Sequence, residues 1–278
     1  MSEAETISRV KEPNTVASLT RQLAELGLTE GSVVIVHSAL SALGWTAGGA
    51  QAVVEALLTA VGRAGTIVMP THTGQNTDPA EWEAPPVPES WIETIRRERP
   101  AYHPAFTPTR GMGTIVECFR THPGAKRSMH PLYSFAALGP LADVLAEQPL
   151  DDAMGEGSPL AHLYSHDASV LLLGVDHSNN TSLHLAEYRS GIPATREYHD
   201  LCIQVDGVPP DPAGRRYVQF SDRRLDSEDF AQIGAEWEQQ AADSDLSTGH
   251  IGAAPSRLLR QRPIVDYAMR RLPQVRGQ

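Results

Sequence analysis

Apolar residues recur along this chain at two spacings, and the switches between them mark out its elements. Leu19, Leu23 and Leu26 fall on one helical face, between Thr15 or Ser18 as a cap and Gly27 as a stop. That pattern predicts a helix over about 15–27. Val33-Val34-Ile35-Val36 is a short continuous apolar run, the signature of a strand buried on both faces of a parallel sheet. Helical spacing returns at Val53, Val54, Leu57, Leu58 and Val61, and Thr66-Ile67-Val68-Met69 reads as a second strand. Further helices are expected at 111–120 and 142–147 and from 159, with strands at 133–138 and 169–175. Beyond residue 190 the pattern predicts short strands at 201–206 and 216–220 and helices at about 228–242 and 255–271. No internal repeat and no low-complexity segment interrupts the series. The fold class is α/β: a central, mostly parallel sheet flanked by helices, with antiparallel additions late in the chain.

Two stretches lack the pattern. Residues 1–14 are polar and are expected to form a flexible N-terminus ahead of a single domain, 15–278. Residues 74–107 form a long excursion in which GQNTDPAEWEAPPVPESW carries four prolines and three glutamates. Loops of this length are usually functional or disordered, and Trp82 and Trp91 argue for order. Its acidic residues, Asp78, Glu81, Glu83 and Glu89, suit a polyamine, and equally a solvated charged loop.

Composition narrows the field. The 278 residues include 23 Lys and Arg against 34 Asp and Glu, a net charge of −11. Such a chain is a poor nucleic-acid binder, and its charge favours a cationic substrate. No apolar run approaches the roughly 18–20 residues that span a bilayer. The polar N-terminal residues lack the apolar core of a signal peptide, so a cytoplasmic location is expected. Two cysteines, Cys118 and Cys202, make neither a disulfide framework nor a multi-cysteine zinc site. Each reads as packing.

Ligands in open α/β sheets sit beyond the carboxyl ends of the strands. Three predicted strand ends carry polar clusters: His37-Ser38 to Ser41, Thr71-His72-Thr73, and Asp176 to Glu187. Parallel strands would bring all three to one rim. In the third cluster Asn180 or Thr181 can cap a helix, which puts His184 and Glu187 three residues apart on one face. A carboxylate beside an imidazole orients the ring and stabilises its protonated form, as a general base requires. A surface ion pair would have the same spacing. His177, His184 and Glu187 also offer a zinc-hydrolase reading, although HExxH is absent. No G-x-S-x-G elbow, P-loop or dinucleotide fingerprint is present, and Ser158 is misplaced for a nucleophile. The Gly44–Gly49 turn before a helix could present N–H groups to an anion.

Four segments taken together resemble the aminoglycoside 3-N-acetyltransferase family, which is unrelated to the GNAT fold. They are VHSALSALGWTAGGAQAVVEAL (36–57), GTIVMPTHT (65–73), PTRGMGTIVECFRTHPGAKRSMHP (108–131) and LLLGVDHSNNTSLHLAE (171–187), in the family's order. The resemblance implies direct acetyl transfer from acetyl-CoA to a cationic aminoglycoside, with no metal and no acyl-enzyme. It also implies drug resistance, and a monomer or homodimer. His184 matches the family's catalytic histidine and Glu187 its partner carboxylate. Ser38, Ala39, Leu40, Ser41 and Thr71 match the cofactor loop, with His37 beside the thioester end. Arg127 and Ser128 are expected to face the cofactor, and Asp78, Glu81, Glu83 and His72 the acceptor. A different small amine is the alternative acceptor.

Overall fold

The protein is described by a computed structural model that covers residues 2–83, 85–193, 195–203 and 216–277, with backbone alone over 195–203 and 216–219. The first third of the chain follows the hydrophobic pattern. Helices α1 (Glu3–Ser8) and α2 (Val16–Leu26) lead to β1 (Val33–Ser38), and α3 (Gly49–Val61) leads to β2 (Thr66–Pro70). At the start of α2 the Thr15 hydroxyl accepts from the Ser18 N–H while the Ser18 hydroxyl accepts from the Thr15 N–H. Gly27, at φ 110°, ends the helix in the left-handed region that glycine adopts freely.

The middle third supplies α4 (Ile92–Glu98), α5 (Thr114–Arg120), β3 (Lys126–Arg127), β4 (Phe135–Leu138), α6 (Ala142–Ala146), α7 (Pro159–Ser165) and β5 (Ser169–Leu173). Then come α8 (Ser182–Arg189), β6 (Thr195–Ile203), β7 (Arg216–Arg223), α9 (Phe230–Glu238), β8 (Leu246–Ile251), β9 (Ala254–Arg260) and α10 (Gln261–Val275). Seven strands form one sheet in the order β3-β4-β2-β1-β5-β9-β8, and β6 and β7 form a separate two-stranded sheet. β1 pairs in parallel with both β2 and β5. The other neighbours in the large sheet pair antiparallel. Antiparallel pairing therefore flanks the parallel centre on both sides, not only late in the chain.

Alternation along the central strands divides the core into two layers. Ile35, Val68, Val170 and Leu172 face one layer, with Leu183 and Leu185 of α8 and Ile264, Val265 and Ala268 of α10. Val34, Val36, Ile67, Met69, Leu171 and Leu173 face the other, with Leu19 and Leu23 of α2 and Val53 and Leu57 of α3. Helices cover both faces, which explains why these strands read as unbroken apolar runs. Each fully buried Leu, Ile or Val contributes about 1.5–3 kcal/mol.

Several expectations need correction. Residues 1–14 are not a frayed tail throughout. Helix α1 carries a capping box at Ser2, and the buried Asn14 amide donates to the carbonyls of Leu43 and Trp45. Residues 255–260 are strand, not helix, so the last helix begins at Gln261. Strand β8 falls where the hydrophobic pattern predicts no element. Its turn into β9 uses Gly252 at φ 57°, where a Cβ would meet the Leu43 carbonyl at 2.4 Å. The expected strand 201–206 is observed as far as Ile203, and 204–206 lie outside the described residues.

Directly after β5, Gly174 sits at φ 72°, and a Cβ there would lie 2.5 Å from the Ala42 Cβ and 3.1 Å from the Ala254 Cβ. These neighbours are backbone-anchored and cannot swing aside. Replacing Gly174 with Ala is expected to cost about 1–3 kcal/mol. A lowered midpoint in thermal unfolding checks it, and an unchanged midpoint would contradict the close packing.

Candidate active site

The C-terminal ends of β1, β2 and β5 do meet at one rim. They open onto a cleft of about 910 Å³ whose lining includes His37 to Ser41, Pro70, His72, Gly111 to Thr114, Val175, Ser178 to Thr181, and His184. Ser2, Glu3 and Thr6 of the N-terminal segment, with Trp45, also line it. The side chain of Glu3 accepts from the Trp45 indole N–H at 3.0 Å.

His184 is placed by the start of α8. The helix begins as expected, with a difference in the cap: Thr181 holds the cap position without a side-chain bond, and the Asn180 Oδ1 accepts from the Ser182 N–H. His184 Nδ1 lies 2.5 Å from Glu187 Oε2. Glu187 is fully buried. Its other oxygen accepts from Arg276 Nη1 at 2.6 Å and from the Asp226 N–H at 3.1 Å. The guanidinium beside it keeps this carboxylate an acceptor, so the bond from the ring is Nδ1–H to oxygen. Nε2 then carries the lone pair. Arg276 is itself held by both oxygens of Asp229, at 2.8 and 2.9 Å. Burial works against the Arg276 charge, but Asp229 and Glu187 outweigh it and raise its pKa. Phe230 packs on the His184 ring, centroids 4.8 Å apart.

Sequence spacing found His184 and Glu187 because a helix brings them together locally. It missed Arg276, 89 residues from Glu187, and Asp226 and Phe230, which carry no local signal.

His37 is buried and His72 partly so, and both line the cleft. Nε2 of each, and Oγ of Ser38, are shielded from solvent and have no partner among the described residues. Burial pushes His37 down to about 3, and the positive forms of His177 and His184 push the same way. Burial also depresses His72.

Other expected residues stand elsewhere. Thr71, Arg127 and Ser128 are buried and do not line the cleft. Arg127 spends its guanidinium on the Thr71 and Ser134 hydroxyls and on the carbonyls of Thr71, Pro104 and Thr107. Nε and Nη1 are thereby fully used, while Nη2 makes one of these bonds. The Ser128 hydroxyl donates to Gln148 Oε1. All three side chains are thus hydrogen-bonded to protein partners. Asp78 is paired with Arg96 at 2.7 Å, and Glu81 and Glu83 are exposed on the excursion. None of the three carboxylates lines the cleft.

The zinc-hydrolase reading does not fit. His177 Nε2 donates to Glu238 at 2.8 Å and both Glu187 oxygens are engaged. Among the described residues no group of three His, Cys, Asp or Glu side chains is placed to hold a metal. Ser158 caps α7 by accepting from the Leu160 N–H. Cys118 lies in α5, whereas the Cys202 side chain falls outside what is described.

The family model described as aminoglycoside 3-N-acetyltransferase matches residues 35–273. The chain belongs to that family. Aminoglycoside N(3)-acetyltransferase IX of Micromonospora chalcea is 36% identical over 287 residues, 97% of each chain. The crystal structure of YokD from Bacillus subtilis superposes with a TM-score of 0.92 at 38% identity, covering 99% of both chains. The structure of AAC-IIIb with CoASH has a TM-score of 0.80 at 30% identity, covering 95% of this chain and 98% of that one. This family member is therefore an acyltransferase, with an α/β fold shared by these acetyltransferases. No helix among its described residues is long and apolar enough to cross a membrane.

The buried histidines of this acetyltransferase set a pH dependence. His37, at about 3, and His130, at about 4, are held neutral chiefly by burial. The unfolded chain takes up protons near pH 6.5, whereas the folded one resists until near 3–4. Stability is therefore full above about pH 6.5 and falls as the pH drops toward 4. Thermal midpoints measured between pH 7.5 and 4 should decline, and a flat profile would contradict burial of neutral rings.

Proposed function

We propose that this chain moves the acetyl group of acetyl-CoA directly to the 3-amino group of 2-deoxystreptamine aminoglycosides, with His184 as general base. The observation that carries the reading is the line from Arg276 through Glu187 to His184, which ends at the cleft. Glu187 fixes the tautomer that leaves Nε2 able to accept a proton, and its charge stabilises the imidazolium that results. As the acceptor nitrogen takes up the acetyl group, its proton passes to Nε2. Burial of Glu187 keeps water from weakening that support.

Acetyl-CoA, when bound, supplies the acetyl group as a thioester. Ser38, Ala39, Leu40 and Ser41 would hold it, because they line the cleft where Ser38 Oγ and His37 Nε2 have no partner among the described residues. A buried polar group without a partner invites a ligand to supply one. The relative seen with CoASH supports the same co-substrate. The net charge of −11 draws a polycationic acceptor toward the chain. Acetylation removes one positive charge and weakens the drug's grip on RNA phosphates, so resistance is the biological outcome we infer.

A thiol-release assay with acetyl-CoA and a panel of aminoglycosides tests the reading. We expect release with 2-deoxystreptamine drugs that EDTA does not abolish. Tight acetyl-CoA binding without release would move the search to other amines. His184→Ala should lower kcat by about 10²–10⁴-fold with acetyl-CoA binding retained. Normal turnover in that variant would remove His184 from the mechanism.

Arg276→Met should lower kcat by about tenfold or more, because it frees Glu187 from its charge partner and loosens the dyad. It should leave the acetyl-CoA Kd nearly unchanged. Parent-like kcat in a folded Arg276→Met protein would show that Glu187 holds His184 without help.

A further inference from the structure

We propose that the His37 imidazole donates an N–H hydrogen bond to the carbonyl oxygen of a thioester bound in the cleft, and so stabilises the negative charge that gathers there during transfer. The inference rests on reading the cleft as an acetyl-CoA site.

Strand geometry places the ring. β1 lies between β2 and β5. Ile35 packs in the layer that α8 and α10 cover, whereas Val34 and Val36 face the opposite layer. Successive strand side chains alternate faces, so His37 shares the face of Ile35 and turns toward the α8 side. His37 is paired in register with Leu172 of β5, the strand whose chain leads on to His184. One strand spacing is about 4.8 Å, so His37 stands one strand from that segment. His72 follows β2, one strand further away, and packs edge-on against Tyr133 and Phe135. The positive form of His184 acts on both rings, and His37 is the more deeply buried of the two and the one on the strand beside β5.

Its chemistry suits the task. The residue is 6% exposed and lines the cleft, and its Nε2 has no partner among the described residues. Burial, with the nearby His177 and His184, holds its pKa near 3, so it keeps one ring N–H and no charge while His184 gains a proton. In the transfer the acceptor nitrogen bonds the carbonyl carbon, and the acceptor's proton passes to His184 Nε2. The carbon–sulfur bond then breaks with its electron pair on sulfur, and His184 returns the proton to that sulfur. Between these events electron density collects on the carbonyl oxygen. A neutral N–H already in place stabilises that charge without reorganising and without repelling the imidazolium.

The test is difference infrared spectroscopy of acetyl-CoA labelled with ¹³C at the carbonyl, bound to the parent protein, to His37→Ala and to His37→Gln. The carbonyl stretch should fall on binding to the parent, return toward the free value in the Ala variant, and be partly lowered again in the Gln variant. Gln restores a donor near the ring nitrogen. In parallel, kcat in His37→Ala should drop about 10²–10³-fold with the acetyl-CoA Kd within about threefold. A carbonyl shift retained in His37→Ala, or kcat within about threefold of the parent, overturns the proposal. So does a kcat loss matched by an equal loss of acetyl-CoA affinity, which would mark His37 as a binding residue only. Should the parent bind no acetyl-CoA, the reading of the cleft fails and this inference with it. Binding with an unshifted carbonyl defeats this inference alone.

Discussion

A carboxylate with no exposed surface organises this molecule's active site. Taking Glu187 out of water is expensive, and the structure meets that cost with an ion pair and further hydrogen bonds. Arg276 comes from the chain just after α10, the Asp226 N–H from the segment before α9, and His184 from one turn back on α8. The three partners are far apart in sequence, so the carboxylate is satisfied only when those elements have docked. The imidazole is oriented by the same event. The geometry of the candidate site follows from a folding requirement, because the arrangement that satisfies the buried charge also fixes the His184 ring, which lines the cleft.

The opposite wall shows a different solution to the same problem. Arg127 is a buried cation whose hydrogen bonds go to neutral oxygens, from two hydroxyls and three carbonyls, with the Tyr102 ring 5.1 Å from its guanidinium carbon. Those bonds tie the end of β2 to β3 and to the segment that follows α4. The polar residues around the rim thus separate by whether their hydrogen-bonding capacity is already used. Thr71, Arg127 and Ser128 have side chains hydrogen-bonded to protein partners. His37, Ser38 and His72 keep unmatched atoms and face the space a ligand would fill.

That separation also marks where sequence reading succeeded and where it stopped. The central strands were legible because helices on both faces leave them uninterrupted apolar runs, and Val33–Ser38 and Ser169–Leu173 fall where those runs predict. His184 and Glu187 were legible because a three-residue spacing becomes a contact within one helix. Arg276 was not, since nothing local distinguishes it from other arginines near the chain's end. The 255–260 strand was misread because Leu258 and Leu259 fit helical spacing, and its pairing with β5 is a tertiary fact. The sequence expectation that Arg127 faces the cofactor carries no sign of its bonds to Thr71, Pro104, Thr107 and Ser134. A buried arginine and a phosphate-binding arginine look the same until their partners are seen.

Charge at the cleft reverses the first impression from composition. The chain is strongly acidic, yet Glu3, hydrogen-bonded to Trp45, is the one carboxylate among the described residues that line the cleft. Glu187 lies beneath the surface and is neutralised by Arg276. An ammonium entering the cleft, as the proposed function requires, would therefore meet imidazoles and hydroxyls, with Glu3 the one carboxylate among the described lining residues. That suits the proposed transfer, because only the neutral amine has a lone pair to attack with. An acidic lining would bind the cation more tightly and raise the cost of removing its proton. With the acidity spread over the surface and withheld from the reacting end, long-range attraction and local deprotonation do not oppose each other.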